Sequence, residues 1–396
     1  MIEILFFIFV GCFFGVATGL VPGIHANTVA LVAVSLFGEF GLGVAVMIVA
    51  MSTVQSFVDF IPSVFLGAGE ESTFLSVLPG HKLLLKGEGV SAIKFTIIGG
   101  VFGGVVAVLI SPVYFLFIEE WGKIIYQFVP FILILILLFM VFWQKKQNKI
   151  LWSFAIVALS SVIGLISLNF LAIGNPIFPL VTGFFGLSTL LNSLRVKTRL
   201  RKQLVKKDSY PLNPVLKYSL LSTLAGGFVS ILPGVGASQA AFMAGKLKGK
   251  MSSKGYLVML GGINTTNIIF SFFILFLLGK TRTGAAVAVK ELVKLDWNTL
   301  LIFIAVILIA IGVGAIAAEV MAIIVAKNLS RFDYSLINKI IIILLFFLVY
   351  WFSGVVGILL LVVSAAVGLL TICTGTKRTN CMAFLMVPVI VFYLGI

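Results

Sequence analysis

The sequence predicts an all-α polytopic membrane protein made of two inverted-topology repeats. Each repeat is expected to contain a re-entrant helical hairpin with a Pro-Gly tip, followed by about five transmembrane helices. Hydrophobic residues make up 61% of the 396 residues and charged residues only 10%, which is far outside the soluble range. A Pro-Gly pair that interrupts an apolar segment at Pro22-Gly23 occurs again at Pro233-Gly234. Because lipid cannot satisfy freed backbone groups, such breaks are tolerated only where they are buried in protein or line a cavity.

The first repeat is predicted to occupy residues 1–194 and the second residues 217–396. Between them, the basic linker 195–216 carries seven Lys and Arg residues before Asp208. The predicted hairpins are 4–37 and 217–245. The predicted spans, each near the ~20 residues that a bilayer core requires, are 42–64, 92–117, 124–143, 150–168, 176–194, 256–279, 297–326, 334–352, 355–374 and 381–396.

An internal duplication supports this division. At an offset of 211 residues, Gly15 matches Gly226, Pro22 matches Pro233 and Ala26 matches Ala237. Self-similarity at a fixed offset indicates repeated structural units.

Loop charges predict how the two halves are oriented. Basic residues flank both ends of 217–245, so both ends are expected to be cytoplasmic. Two arms of roughly 12–16 residues would extend about 18–24 Å each, and the tip would stop inside the membrane. The turn at 35–41 contains Glu39 and no Lys or Arg, so the first hairpin is expected to enter from the outside. The protein is thus placed in the cell membrane with its central basic loop in the cytoplasm.

One loop departs from the positive-inside rule. Lys280, Arg282, Lys290 and Lys294 fall on the predicted outer side. These residues are ordinary loop charges, or they indicate that the predicted topology is wrong. The other explanation is that Lys280 and Arg282 face an anionic substrate.

The hairpin tips form a predicted anion-binding site, because the second arm of each hairpin begins with free backbone N–H groups and the positive end of a helix dipole. The predicted substrate-binding residues are Pro22, Gly23, His25, Ala26, Asn27, Thr28, Pro233, Gly234, Gly236, Ser238, Gln239 and Arg282. Asn27 and Ser238 are also good helix caps, and the two roles are compatible. His25 is either a proton-coupling group or a hydrogen-bonded polar side chain of the bundle.

A polar helix face is duplicated as well. Ser52, Gln55 and Asp59 share one face of the first full span, and at an offset of 212 they match Asn264, Asn267 and Ser271. A carboxylate at membrane depth is costly unless it is paired or binds a cation. The predicted coupling-ion residues, for Na⁺ or H⁺, are Ser52, Gln55, Asp59, Asn264, Thr265 and Asn267. The alternative is that these residues form a structural hydrogen-bond network between helices. Glu70 and Glu71 are either part of the ion site or solvated loop charges.

Composition argues against several other classes of function. The net charge of +15 comes from short basic clusters between apolar segments, as in the cytoplasmic loops of membrane proteins, so no nucleic-acid partner is expected. Two histidines, no Cys/His cluster and no P-loop predict neither an enzyme nor a metal or cofactor site. Cys12, Cys373 and Cys381 are predicted to be small core residues without a disulfide. The N-terminus lacks the basic segment of a signal peptide and is expected to belong to the fold.

Four segments resemble the large permease subunit of the tripartite tricarboxylate transporter (TctA) family, and more closely its short archaeal branch. They are Gly19–Thr28, Asp59–Thr73, Leu78–Gly89 and Ile231–Ser238. The resemblance covers most of both halves. It implies uptake of carboxylates driven by ion gradients, together with a small membrane subunit and an extracytoplasmic binding protein.

The predicted function is secondary active transport of an anionic solute, a di- or tricarboxylate, coupled to a cation. Alternating access would occur around a midplane site between the two tips. One alternative is a flippase for a phosphate-bearing lipid such as a polyprenyl phosphate, which a lipid-accessible opening beside the tips would favour. Another is a non-transporting membrane scaffold, which would leave no cavity at the tips. Membrane lipids and a homo-oligomer are further candidate partners.

Overall fold

The protein is a bundle of membrane-length helices. The computed structural model describes residues 2–21, 26–67, 73, 76–144, 147–169, 176–195, 203–205, 211–249, 251–280, 283–329 and 334–395. The helices are α1 Ile2–Leu20, α2 Ala26–Phe37, α3 Leu42–Val58, α4 Phe60–Phe65, α5 Val77–Leu85, α6 Gly89–Phe142, α7 Gln147–Asn169, α8 Ile177–Val181, α9 Ser188–Arg195, α10 Leu212–Ile231, α11 Ala237–Lys248, α12 Ser253–Leu278, α13 Gly284–Leu292, α14 Trp297–Leu329, α15 Tyr334–Cys373 and α16 Ala383–Leu394.

The all-α membrane fold is confirmed. Within the described ranges there is no strand, and nine helices or helix pairs are long and apolar enough to cross a membrane. A π-helical turn, Thr182–Leu187, joins α8 to α9. Helix α16, preceded by the 3₁₀ turn Arg378–Met382, is a shorter apolar segment.

One predicted loop is helical in the structure. The chain continues as helix from Gly89 to Phe142 through the expected loop at 118–123, because Glu and Lys in that segment are good helix formers and no Pro or turn pair ends the helix there. The helix nevertheless changes direction. Phe115 contacts Phe276 near the end of α12, whereas Phe139 contacts Phe242 on α11. In α15 the two expected spans meet at Gly354, whose φ of 64° interrupts the helix at the predicted boundary.

In both halves the helices around the Pro-Gly break are arranged in the same way. Two contacts show that α1 is parallel to α3. Gly11 contacts Met47, and Gly19 contacts Val58. Helix α2 then returns from the level of Gln55, which accepts a hydrogen bond from the Ala26 N–H.

The second half repeats these contacts. Gly255 near the start of α12 packs against Tyr218 of α10, and Gly226 packs against Thr266, so α10 and α12 are parallel. Helix α11 returns, and Gly245 near its end packs against Tyr256. The two helices on either side of each break are therefore antiparallel, and their outer ends lie near the start of the next long helix.

The arms of these hairpins are unequal, contrary to the expected 12–16 residues. The first arms, α1 and α10, have 19 and 20 residues, and the second arms, α2 and α11, have 12 each. At 1.5 Å per residue, the first arms extend about 30 Å, roughly a bilayer core, and the second arms about 18 Å. The first arms are longer because the apolar segments continue beyond the positions where the sequence suggested a boundary.

Helices α3–α4 and α12 run in opposite directions. Phe65 at the end of α4 contacts Gly89 at the start of α6. The start of α6 lies beside the start of α12, where Lys254 Nζ is 5.1 Å from the centre of the Phe95 ring. The first long helix after each break therefore crosses the bundle with the opposite polarity.

The cysteine prediction holds for two of the three residues. Cys12 and Cys381 are buried and reduced, whereas Cys373 is exposed at the end of α15. The prediction for Cys373 is wrong because the helix ends there, outside the packed part of the bundle.

Candidate functional site

A cavity of about 140 Å³ lies between the two helix breaks. Both hairpins and both of the long helices that follow them contribute to its walls. Its lining residues are Ala26, Asn27, Ser52, Gln55, Ser56, Asp59, Gly234, Val235, Gly236, Ala237, Asn264, Asn267, Ile268, Phe272, Thr283, Ala285 and Leu385. Nine of the predicted site residues are thus brought to one place from opposite halves of the sequence.

In the first hairpin, the part that contributes to the site begins at α2. The Ala26 N–H donates to Gln55 Oε1 over 2.6 Å, which fixes the start of α2 against α3. Asn27 contacts the second half of the chain. Its Oδ1 accepts from the Ala285 N–H at 3.0 Å and so caps α13. Asn27 therefore ties the first break to the second half of the chain while it lines the cavity.

In the second hairpin, the part that contributes to the site begins after a tight turn at Pro233-Gly234. Gly234 has a φ of 82°, which glycine adopts without strain. Gln239 Oε1 accepts from the Gly236 N–H at 2.9 Å and caps α11. Ser238 and Gln239 are fully buried and lie behind the cavity wall, outside its lining.

The polar faces of α3 and α12 meet at the same cavity. Asn264 Nδ2 donates to the Ser56 carbonyl oxygen over 3.3 Å, which connects the two helices directly. Asn267 lines the cavity at the position that matches Gln55. Thr265 does not, because it lies about 100° around the helix from Asn264; its hydroxyl donates to the Gly261 carbonyl oxygen and faces α6. Ser271 likewise donates to the Asn267 carbonyl oxygen.

Several predicted site residues lie outside the described part of the chain. They are Pro22, Gly23, His25 and Arg282, together with the side chain of Thr28. Glu70 and Glu71 also lie outside it.

Eight lining residues were absent from the sequence prediction: Ser56, Val235, Ala237, Ile268, Phe272, Thr283, Ala285 and Leu385. Ser56 follows Gln55 by one position and was left out of the i, i+3, i+7 pattern. Thr283 is the N-cap of α13, where its Oγ1 accepts from the Ala286 N–H, and a Thr before a helix is a detectable cap signal. Phe272 and Leu385 are apolar, and nothing in the sequence distinguishes them from other core residues.

The electrostatics of the cavity combine two opposing elements. The N-terminal ends of α2 and α11 contribute positive dipole ends. Asp59 is the charged residue among the described lining residues, and its side chain is only 5% exposed. An ionised Asp59 would repel an anion, and a cation or a proton bound beside it would offset that repulsion.

A larger apolar cavity lies beside the second break. It has a volume of about 440 Å³ and is bounded by α6, α10 and Phe270 of α12. Val113 and Leu224 in its wall are 66% and 60% exposed on the outer surface of the bundle. Ile231 and Leu232, directly before Pro233, separate it from the polar cavity.

Replacing Gln239 with leucine is expected to destabilise the protein by about 1 kcal/mol. The change leaves the buried Gly236 N–H without its acceptor, a cost of about 1–3 kcal/mol. It also removes the Nε2 group, which is buried without a hydrogen-bond partner among the described residues, so the loss should fall at the low end. The check is the unfolding temperature of the purified variant. Gln147→Leu, at an exposed position of α7, is the matched control, and an equal loss in both variants would contradict the capping role.

Comparison with known proteins agrees with the architecture. Residues 5–383 match the family described as the tripartite tricarboxylate transporter TctA family. An uncharacterized protein of Methanocaldococcus jannaschii is 28% identical over 413 aligned positions that cover the whole of both chains. No solved structure matches the chain significantly.

Proposed function

Because the chain belongs to the tripartite tricarboxylate transporter TctA family, we propose that it is a secondary active transporter that carries a small di- or tricarboxylate across the cell membrane. The observation that carries this proposal is the cavity to which both helix breaks and both polar faces contribute. Paired helix breaks from two halves of a chain are typical of transporter binding sites.

The proposed topology is two inverted repeats with re-entrant hairpins. Three observations support it: the short second arms, the return of each hairpin to the start of the following helix, and the opposite polarity of α3–α4 and α12. The central basic loop lies in the cytoplasm in this arrangement. In its described part, Gln203 Oε1 accepts from the Gly89 N–H, so Gln203 lies at the start of α6.

Cation coupling follows from the charge of the cavity. Asp59, with the amide and hydroxyl oxygens of Gln55, Ser52 and Asn264 nearby, is the proposed site of Na⁺ or H⁺. Binding of the cation removes the repulsion that Asp59 exerts on the carboxylate, so the two ligands favour each other's binding. Rocking of one repeat against the other would then expose the loaded site to each side in turn.

The volume of the cavity favours a small substrate. At about 140 Å³ it is well below the ~300 Å³ at which drug-sized sites begin. A short dicarboxylate is therefore a better fit than a bulky anion. A small membrane subunit and an extracytoplasmic binding protein are the proposed partners, because TctA-family permeases usually work with them.

A lipid-phosphate flippase is the second candidate, and the apolar cavity beside the second break favours it. That cavity opens toward the lipid-facing surface next to the residues before Pro233. A lipid substrate would place its phosphate in the polar cavity and its chain in the apolar one. The scaffold alternative requires closely packed polar faces without a cavity, and the cavity argues against it.

The test is uptake of radiolabelled solute into proteoliposomes that contain the purified protein. We expect accumulation of a di- or tricarboxylate when a Na⁺ or H⁺ gradient is imposed, and none without a gradient. Asn267→Leu, inside the cavity, should abolish uptake, whereas Asn148→Leu, at an exposed position of α7, should not. Transfer of a short-chain polyprenyl phosphate without carboxylate uptake would replace the carboxylate proposal with the flippase.

A further inference from the structure

Two lysines from separate segments lie beside one aromatic ring, at the far end of α11 from the cavity, and a third lysine contacts the same turn as one of them. Lys246 on α11 and Lys377, in the turn after α15, place their Nζ atoms 6.0 and 5.9 Å from the centre of the Phe242 ring. Lys149 on α7 donates from Nζ to the Gly375 carbonyl oxygen over 2.8 Å, two residues before Lys377. The cluster of Lys149, Lys246 and Lys377 is therefore held together by packing and by one backbone contact.

The positive charge of this lysine cluster is not neutralised by the described protein. None of its three members forms an ion pair with a carboxylate in the part of the chain that the structure describes; the ion pair found there joins Lys94 and Glu319. Partial burial of the Lys377 ammonium group is the largest cause that lowers the pKa of Lys377. The positive charges of Lys246 and Lys149 lower that pKa further. Mutual repulsion of this kind is relieved when an anion binds between the lysines.

An aromatic path leads from the lysine cluster to the lipid-facing surface. The ring of Phe139 lies 6.3 Å from that of Phe242, and Trp143 lies 4.4 Å from Phe139. Phe142 and Trp143 are 64% and 47% exposed. Because tryptophan favours the membrane–water interface, this end of α6 is expected to lie at headgroup level.

We propose that the lysine cluster binds the phosphate-bearing headgroup of an anionic membrane lipid, with the lipid chains lying along the apolar surface beside Phe142 and Trp143. Basic pockets between transmembrane helices at the membrane surface recognise such headgroups. The continuous aromatic path to the lipid-facing surface favours a lipid over a soluble anion. The bound headgroup would contact α11, the helix whose other end lines the polar cavity.

The experiment is a titration of delipidated, detergent-solubilised protein with dioctanoylphosphatidylglycerol, followed by the unfolding temperature. Phosphatidylglycerol is expected to raise that temperature saturably. Dioctanoylphosphatidylcholine and inorganic phosphate at equal concentration should not. An equal shift with phosphatidylcholine would overturn the headgroup assignment, and an equal shift with inorganic phosphate would show a soluble-anion site instead.

Substitution locates the effect. Each lysine near an anionic lipid surface contributes enough that its removal should weaken phosphatidylglycerol binding about fivefold, so Lys246→Gln and Lys377→Gln together should weaken it about 25-fold. Lys149→Gln, at a partly exposed position, tests the cluster with little risk to folding. Lys290→Gln is the matched control, because Lys290 also donates to a backbone carbonyl, that of Gly279, but far along the chain from the cluster. Equal weakening by Lys290→Gln, or none by the cluster variants, would refute the proposal.

Discussion

Asp59→Asn is expected to abolish the effect of the coupling cation on carboxylate binding. Asp59 is the carboxylate among the described residues of the cavity wall, and its side chain is buried. Asparagine keeps its size and removes its charge, so the cation no longer has a charge to offset. Coupling between two ligands is typically about 5–150-fold in affinity, and this factor should fall to about one. The measurement is the dissociation constant of the carboxylate with and without Na⁺, at two pH values.

The control for this variant is Glu119→Gln, which removes an exposed carboxylate from α6 and should leave the coupling unchanged. Concentrative uptake should be lost in Asp59→Asn while exchange of carboxylate across the membrane is retained. If Asp59→Asn binds carboxylate with the full cation dependence of the wild type, Asp59 is not the coupling site.

Gly103→Leu is expected to be strongly destabilising. Helices α6 and α12 cross there with their backbones in contact: a Cβ atom on Gly103 would lie 2.7 Å from the Gly262 Cα and 3.2 Å from the Ser222 Oγ. Small residues allow such close approach of membrane helices. Overpacking of a tight core costs typically 1–3 kcal/mol and occasionally more. Because backbone atoms block the side chain on one side, we expect the free energy of unfolding to fall by about 3 kcal/mol. The check is the drop in the unfolding temperature of the purified variant.

Gly312→Leu is the matched control in α14, because nothing lies within 4 Å of the position that its Cβ would take. It should be neutral or slightly stabilising, since leucine is a better helix former than glycine. Equal effects at Gly103 and Gly312 would show that helix propensity, and not the crossing of α6 and α12, decides the outcome.

The sequence predicted the features that depend on local chemistry. Proline and glycine fixed the two breaks, which the structure places between α1 and α2 and between α10 and α11. Helical periodicity put Ser52, Gln55 and Asp59 on one face, and all three line the cavity. Thr265 was included because it matches Thr53, but its place on the helix directs it toward α6.

Features that depend on tertiary packing were not predictable in this way. The charged residues between the expected spans 92–117 and 124–143 suggested a loop, yet the chain is helical from Gly89 to Phe142. Asn27 was expected to cap its own helix or to bind substrate, yet it caps α13, 258 residues further along the chain. Leu385 enters the cavity wall from the last helix, and only the packing of the whole chain brings it there.

The most direct test of the account is ligand protection at the cavity. In a variant whose three native cysteines are replaced, Ser52→Cys places a thiol in the cavity wall, and Asn148→Cys places one at an exposed position at the start of α7. We predict that a dicarboxylate together with the coupling cation slows alkylation of the thiol at position 52 at least tenfold and leaves position 148 unaffected. An unchanged rate at position 52, under conditions where the same carboxylate binds the protein, would contradict the claim that the cavity between the two breaks is the substrate site.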